Sequence, residues 1–273
     1  MAVHDYRSLK VPDGTISERR AMVASELIAV LGSKMHDREF DIWDTELPNE
    51  RDADNVSVVS LSRRWAVQAA RDLRRAGLQC EVLDAVPLAL GRAVHGDSAG
   101  TTGTPIGLVD WGYANTTFCI VVDGRPLFTR RMRDCSFGPV LDAVSEGLGV
   151  TSDAAQHLVM RYGLPDSSAE DARHEEIQAV LMEVVRPPLM ELVEQFNKTL
   201  TYLASQMKSL TPERIWMFGG GAGLPGICEF LSRVISVPIS VWLNEQTTDS
   251  STECPAALLA TAMALSSLAW TPS

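Results

Sequence analysis

The sequence predicts an α/β fold, and three stretches of the chain carry that prediction. The apolar run Ile215–Phe218 is followed by a glycine-rich turn, after which apolar residues return at helical spacing, so the order is strand, turn, helix. Three strand-like segments follow one another between Ile106 and Arg130 around an Asp-Gly pair, which favours a hairpin. From Leu189 to Met207, apolar residues recur every three or four positions, as on the buried face of a helix.

Helical and strand-like segments alternate in the first hundred residues. Ser62 precedes a helical pattern that runs to Ala76, where a serine would cap the helix and Gly77 would end it. The strands predicted here are Phe40–Trp43, Val56–Leu61 and Cys80–Asp84, and the other helices are Ile16–Leu31 and Pro87–Val94. The Gly-, Ser- and Thr-rich stretch from Gly96 to Pro105 indicates a boundary between domains 1–104 and 105–273.

Past this boundary, strands come first and helices then dominate. Proline is tolerated in the first turn of a helix, so Pro187-Pro188 is predicted to begin the long helix that continues to Met207. The other predicted segments are the strands Ile106–Gly112, Thr116–Val122 and Pro126–Arg130, a helix from Thr151 or Ser152 to Tyr162, a strand at Ile239–Trp242 and a buried helix at Ala256–Leu265.

The composition is that of a globular protein with an acidic balance. The formal net charge is −11, from 35 acidic and 24 basic side chains, and no run of lysine or arginine occurs. Nucleic acid and an anionic membrane are therefore not expected as direct partners. The five cysteines form no Cys-x-x-Cys pair, which favours buried thiols of a cytoplasmic protein. The longest apolar stretch, Ala256 to Leu265, is too short to span a bilayer, so no membrane insertion is expected.

The glycine turn admits two nucleotide-binding interpretations. Residues 221–226 match the G-x-G-x-x-G pattern of dinucleotide-binding folds, and Glu245 lies about twenty residues further on, where such folds place a ribose-binding acid. The position of the turn argues against this interpretation. A dinucleotide fingerprint opens its domain, whereas fewer than fifty residues follow Gly226.

The second interpretation joins this turn to the segment 109–117. Asp110 ends a strand, Gly112 follows it, and Asn115 and Thr116-Thr117 lie at the bend and at the start of the next strand. A carboxylate in that place can hold Mg²⁺ through water. The bend and the threonine hydroxyls can bond phosphate oxygens, and the later glycine turn can lie against the sugar and base.

In this order the two motifs resemble the actin-like nucleotide-binding superfamily. Met217–Ala222 fits the adenosine loop of that superfamily, apolar-x-Gly-Gly-x-Ala/Ser, and Asp110–Thr117 looks like its second phosphate hairpin. Further stretches resemble PilM-type proteins of type IV pilus assembly, also called competence protein A. They are Arg74–Leu90 ("aGL…vD…pxAL"), Asp123–Arg130 ("dGxplfxR"), Glu194–Tyr202 ("EexxRSlxyy"), Gly219–Gly226 ("GGGaxlpGL") and the closing helix Pro255–Leu265.

This resemblance implies an actin-like (ribonuclease H-like) fold, with mixed sheets flanked by helices and an incomplete first lobe. Residues 1–104 would be that lobe with an inserted subdomain similar to that of PilM and FtsA, and 105–273 the second lobe. The implied ligands are ATP and Mg²⁺, with Asp110 on the metal. The other residues implied to contact the nucleotide are Gly112, Asn115, Thr116, Thr117, Glu194, Lys198, Gly219, Gly220, Gly221 and Ala222.

The chain departs from the family pattern in three respects. The Asp-x-Gly hairpin that opens actin-like proteins is not found, because Asp13-Gly14 is expected to have no strand on either side. Trp111 and Tyr113 are bulkier than the residues usual there, and Lys198 replaces an arginine. Either the chain is N-terminally incomplete, or it is a reduced homologue that has lost the nucleotide. Both explanations predict weak or lost ATP binding and no efficient hydrolysis. Glu194 and Lys198 are also an i,i+4 pair, so a surface salt bridge is an equal interpretation.

The function implied is that of a cytoplasmic scaffold for type IV pilus assembly, peripheral to the inner membrane. It would capture the cytoplasmic tail of a PilN-like membrane protein, and homo-oligomers remain open. Nucleotide state would then favour one arrangement of the lobes. The alternatives are an FtsA-like division protein or a type II secretion L-like scaffold, and a small-molecule kinase of the same superfamily. The kinase needs both phosphate hairpins, and FtsA-like proteins end in a membrane-binding amphipathic helix, which residues 268–273 do not resemble.

Overall fold

The computed structural model describes residues 4–45, 54–96, 102–165, 171–242 and 256–266. The chain divides into two compact units, of which the first comprises Met1–Ala85 with Pro126–Thr129. The second comprises Val86–Arg125 with Arg130–Ser273. Each unit contains one of the two sheets and its own hydrophobic core.

The first unit is a small antiparallel sheet with a helix on one face. Its elements are β1 (His4–Leu9), α1 (Ile16–Leu31), a 3₁₀ segment (Gly32–Asp37), β2 (Arg38–Asp44), β3 (Val56–Ser62) and α2 (Arg63–Arg75). The strands lie in the order β1-β3-β2. Val56 and Val58 of β3 pack with Val23 and Leu27 of α1, and all four side chains are buried. This cluster is the core of the unit.

The helices of this unit begin where the sequence predicts. Thr15 and Glu18 form a capping box at the start of α1, with the Thr15 amide donating to Glu18 Oε2 at 2.8 Å. The hydroxyl of Ser62 accepts a hydrogen bond from the amide of Trp65, so the predicted cap of α2 is confirmed.

Two expectations for the first unit are wrong. A strand, β1, does precede Asp13-Gly14, and it was not predicted because its sequence is mostly polar. After Asp13-Gly14 the chain enters α1 rather than a returning strand. Cys80–Asp84 is not a strand, since a strand needs backbone partners and none of the described strands pairs with it. Val82 and Leu83 of this segment are instead exposed.

The second unit is built on a mixed five-stranded sheet. Its elements are α3 (Val86–Gly96), β4 (Ile106–Trp111), β5 (Thr116–Val122), β6 (Arg125–Met132), α4 (Gly138–Leu148), α5 (Ser152–Tyr162), α6 (Ala172–Gln206), β7 (Arg214–Phe218), α7 (Ile227–Ser232), β8 (Ile239–Val241) and α8 (Ala256–Ser266). The strand order is β6-β5-β4-β7-β8. β4 is antiparallel to β5 and parallel to β7, which is parallel to β8.

Helices cover both faces of this sheet. On one face, Leu108 and Phe218 form a buried cluster with Leu90 of α3 and Ala260 of α8. On the other face, Phe118 meets Phe196 of α6 edge to face, with ring centroids 6.1 Å apart. The prediction of a mixed sheet flanked by helices is confirmed.

The helical part of the second unit differs from the prediction in two places. Pro187 and Pro188 lie inside α6, which is 35 residues long, and do not begin it. Each proline removes one backbone donor, but Val185 and Leu189 on either side of the pair are buried, and this packing keeps the helix continuous. Helix α4 was not predicted. Among the described residues, no helix is both long and apolar enough to cross a membrane.

Candidate functional site

The two predicted motifs meet at the carboxyl ends of β4 and β7. Asp110 of β4 is level with Phe218 of β7 in the parallel ladder, and Thr117 of β5 lies directly opposite Asp110 in the antiparallel one. Side chains opposite each other in a ladder share a face of the sheet, so Asp110 and Thr117 point to the same side. The carboxyl ends of parallel strands are where α/β folds bind ligands.

The first residue of the glycine turn touches the carboxylate directly. Gly219 has φ 85° and ψ 178°, a backbone conformation that is essentially confined to glycine. A Cβ built on Gly219 would lie 2.5 Å from Asp110 Oδ1 and 3.0 Å from the carbonyl oxygen of Trp111. Asp110, Thr117 and Gly219 are hereafter the Asp110 cluster. Sequence order predicted that these segments would meet, and the structure adds how closely they do.

No neighbouring group of the described residues offsets the cost of burying the Asp110 carboxylate. It is half-buried, and within the described part of the chain no side chain or backbone group forms a hydrogen bond or ion pair with it. Burial raises the pKa of Asp110 from 3.8 to about 6, because a partly desolvated carboxylate is disfavoured. Its charge also helps to raise the pKa of the Cys119 thiol, although burial of that thiol is the larger cause. A bound cation would offset the cost of the Asp110 charge.

The bend after β4 is held rigidly. The amide of Gly112 donates to the Asn115 carbonyl at 3.0 Å, and the amide of Gly138 donates to the Tyr113 carbonyl at 2.8 Å. Asn115 Oδ1 accepts a hydrogen bond from the guanidinium of Arg131. The predicted ligand Asn115 is therefore already engaged within the protein, and Arg131 is a neighbour that sequence reasoning missed.

The two threonines of the hairpin differ in their availability. Thr116 is fully buried and its hydroxyl donates to the Cys135 carbonyl at 3.1 Å. Trp111 Nε1 donates to the same oxygen at 2.9 Å. Thr117, on the opposite face, has no hydrogen bond from its hydroxyl to any described residue. Of the two predicted hydroxyls, Thr117 is the one that remains for a ligand.

The rest of the glycine turn packs against the indole of Trp111. A Cβ on Gly221 would lie 2.2 Å from Trp111 Cε3, so this position has room only for glycine. Gly220 to Gly223 form a short 3₁₀ turn, in which the Ala222 amide donates to the Gly219 carbonyl at 3.1 Å. Gly221 therefore has a packing role that the motif alone did not show.

Two cavities border the predicted ligand residues. One, of about 550 Å³, lies on the outer side of the glycine turn and is lined by residues 222–229 and by β8. The other, of about 860 Å³, runs along α6 and is lined by Glu194, Asn197 and Lys198 among others. Glu194 and Lys198 form an exposed ion pair of 2.5 Å, and no bond from either reaches the Asp110 cluster among the described residues. Their assignment to the nucleotide stays a prediction.

A metal ion at this site would be coordinated by Asp110 together with oxygen atoms of water or of a ligand. No group of three or more His, Cys, Asp or Glu side chains that could hold a metal ion occurs among the described residues. Glu245, the acid of the dinucleotide interpretation, lies outside them.

Comparison with protein families and solved structures gives one consistent result. Residues 39–266 match the family model described as Type IV pilus assembly protein PilM. No match was found among curated proteins. A chain in the structure of a PilM-PilN type IV pilus biogenesis complex has a TM-score of 0.79 and 20% identity, over 99% of this chain and 77% of that chain.

More distant structures share the fold. MreB5 of Spiroplasma citri bound to ADP has a TM-score of 0.52 and 14% identity, over 75% of this chain and 64% of that chain. The same protein bound to AMPPNP has a TM-score of 0.50 and 13% identity, over 73% of this chain and 62% of that chain. At these identities the likeness shows the fold alone, and the prediction of an actin-like fold is confirmed.

Proposed function

The chain belongs to the type IV pilus assembly protein PilM family, and from that premise we propose that it is a scaffold of the pilus assembly platform. In this role it captures the cytoplasmic tail of a PilN-like protein and is held on the cytoplasmic side of the inner membrane by that partner. The observation that supports the partner is the likeness, over 99% of the chain, to a protein in a PilM-PilN complex.

We also propose that the Asp110 cluster binds ATP with Mg²⁺ weakly. Asp110 would hold the cation through water, Thr117 would bond a phosphate oxygen, and the turn from Gly219 to Ala222 would lie against the sugar and base. Bound Mg²⁺ would supply positive charge to the phosphates and to the carboxylate. The supporting observation is that Asp110 is half-buried without a partner among the described residues.

The same geometry favours weak binding. Asn115 and Thr116, which the resemblance places on the phosphates, already bond Arg131 and the Cys135 carbonyl. A phosphate would have to compete with those bonds, which leaves Thr117 as the one hydroxyl of the pair for it. Of the two carboxylates among the predicted site residues, the metal would take Asp110 and Glu194 is paired with Lys198, so neither is left to activate water. We therefore infer a binding site without efficient hydrolysis.

Calorimetric titration with ATP·Mg²⁺ tests the nucleotide proposal. Removing the carboxylate in Asp110→Ala should weaken binding about 10- to 100-fold, the usual effect of losing a charge-assisted contact. Asp142→Ala is the matched control, since it removes an exposed carboxylate from α4 in the same unit. Equal affinity of the Asp110→Ala and unmodified proteins would refute the site. No binding by the unmodified protein would favour the homologue that has lost its nucleotide.

Capture of membrane-protein tails tests the scaffold proposal. Synthetic peptides of the cytoplasmic tails of PilN-like and unrelated single-span membrane proteins would be immobilised and exposed to the protein. We expect retention on the PilN-like tail, and none on a scrambled version of it. If the protein ignores the PilN-like tail and its scrambled control alike, the proposed partner is wrong.

A further inference from the structure

Helix α2 of the first unit carries positive charge on a protein that is otherwise acidic. Five of its thirteen residues are arginines and one is an aspartate, whereas the whole chain has a net charge of −11. Arg63 pairs with Glu39 at 2.7 Å, and Arg75 pairs with Asp72 at 3.5 Å. The other three arginines, at positions 64, 71 and 74, have no ion pair with any described residue.

The helix brings these arginines onto one side. At 3.6 residues per turn, positions 63, 64, 71, 74 and 75 fall within an arc of about 120°. Asp72 falls outside that arc. The sequence shows no run of basic residues here, because two arginine pairs and Arg71 are spread over thirteen positions and come together only through the helical turn.

Large apolar side chains of α2 are exposed on the side of the helix away from the arginines, since Trp65 and Leu73 each lie about 80° beyond an end of the arginine arc. Not one residue of α2 is buried, and Trp65 and Leu73 retain 46% and 37% of their accessible surface. The irregular segment that follows exposes Leu78 and Val82 to 59% and 64%. Residues 63–83 are hereafter the basic surface. Soluble proteins seldom expose a group of this kind without a binding role.

We propose that the basic surface docks on the anionic headgroups of a membrane. A very polar helix with arginines on one arc and exposed tryptophan and leucine on the other side is the pattern of helices that lie in the membrane interface. Arginines near such a surface attract phosphate, and an exposed tryptophan is favoured at headgroup level. This proposal rests on the proposed function, which places the chain beside the inner membrane, and it adds a direct contact with lipid.

A lipid surface fits these observations better than an acidic protein or a nucleic acid. The charged and apolar side chains are exposed along one helix and an irregular segment. A plane of headgroups requires no pocket. The exposed Leu78 and Val82 would gain nothing from a nucleic acid, whose binding surface is a charged phosphate backbone.

Sedimentation with vesicles tests the proposal. The full chain is mixed at low salt with vesicles of phosphatidylglycerol and phosphatidylcholine, or of phosphatidylcholine alone. We expect binding to the first kind only, and its loss at high salt. Neutralising the three arginines in R64Q/R71Q/R74Q should lower partitioning on the order of 100-fold, from a factor of about five for each arginine. Reversing their charge in R64E/R71E/R74E should lower it further, and agreement in direction between the two variants separates loss of charge from misfolding.

The matched control reverses three exposed arginines of the second unit, in R173E/R186E/R233E. It changes the net charge by the same amount and should bind vesicles like the unmodified chain. Failure of the unmodified chain to sediment with anionic vesicles overturns the proposal, and so does an equal loss in the control. If α2 variants lose an acidic peptide or nucleic acid instead of vesicles, the surface binds that partner and the lipid proposal is wrong. Capture of the PilN-like tail is measured separately on each variant, and its failure would refute the proposed function alone.

Discussion

Replacing Asp110 by asparagine should stabilise the protein at neutral pH, although it removes a residue of the candidate site. The folded pKa of Asp110 is raised to about 6 from an ordinary value of 3.8 because the carboxyl group is partly buried. A raised carboxyl pKa means that the folded state holds its proton more tightly than the unfolded state. The contribution of Asp110 to stability is therefore fully present below about pH 4 and is lost as the pH rises through 6.

The size of the effect follows from the shift in pKa. A shift of about two units corresponds to at most about 3 kcal/mol, at 1.36 kcal/mol per unit. Asparagine has nearly the same shape and no charge, so the Asp110→Asn variant does not carry this loss. Its free energy of unfolding should match that of the unmodified protein near pH 4 and exceed it by up to about 3 kcal/mol at pH 7.5.

Thermal and denaturant unfolding, followed by circular dichroism between pH 4 and 7.5, measure this difference. For a chain of this size we expect the variant to melt roughly 6–12 °C higher at pH 7.5 and at the same temperature near pH 4. The control is Asp142→Asn, which removes an exposed carboxylate of α4 in the same unit. Its stability relative to the unmodified protein should change little over the same pH range.

Either of two results would refute the reasoning. One is a difference between Asp110→Asn and the unmodified protein that is constant between pH 4 and 7.5. The other is a variant that is less stable at neutral pH, which would mean that the carboxylate has a favourable partner in the folded chain. Added ATP·Mg²⁺ should flatten the pH dependence of the unmodified protein alone, because a cation beside the carboxylate lowers its pKa.

Two further substitutions test a close contact of the glycine turn and a buried hydrogen bond of α6. Gly219→Ala should cost about 3 kcal/mol of stability, because the backbone conformation is confined to glycine and the added methyl group would meet Asp110. The control Gly149→Ala is also at positive φ but has open space around it, so it should cost about 1 kcal/mol. Equal losses in the two variants would argue against the contact. Thr199→Val should cost about 1–3 kcal/mol, because the buried hydroxyl accepts a 2.7 Å hydrogen bond from Arg130, while exposed Thr201→Val should be nearly neutral. A similar loss in both valine variants would contradict that role.

The parts of the fold that local chemistry determines were predictable. A helix start depends on a few neighbouring residues, so the predicted cap Ser62 is confirmed, and of the two candidates Thr151 and Ser152 the structure has Thr151 as the cap. The Asp123-Gly124 pair likewise indicated the hairpin, and both residues have positive φ. In each case the residues that specify the structure are adjacent in sequence.

The errors concern features that depend on distant residues. Whether Cys80–Asp84 forms a strand depends on a pairing partner, which no local pattern reveals. Whether Pro187-Pro188 begins or interrupts a helix depends on what buries the residues before it, and buried Leu181 and Val185 extend α6 through the pair. Burial across the whole length of a helix outweighs the local preference of proline.

The candidate site was predictable in its parts but not in its bonding. The order of the two motifs, which resembles that of actin-like proteins, predicted that Asp110 and the glycine turn would meet, and the parallel pairing of β4 with β7 brings them together. The bonds that engage Asn115 and Thr116 come from Arg131 and Cys135, 16 and 19 residues further along the chain. Neither bond has a signature in sequence spacing. Sequence spacing therefore could not show which of the predicted ligand groups are already engaged within the protein.

The energetics of Asp110 bear on what a bound nucleotide could do. At neutral pH the unpartnered carboxylate costs the folded state at most about 3 kcal/mol. A ligand at one hundred times its dissociation constant stabilises a protein by about 2.7 kcal/mol, which is similar in size. A cation at Asp110 would therefore offset most of that cost, and weak binding would suffice to alter the stability of the β4–β7 edge. If the proposed scaffold binds ATP, occupancy alone would shift the population of folded arrangements without hydrolysis.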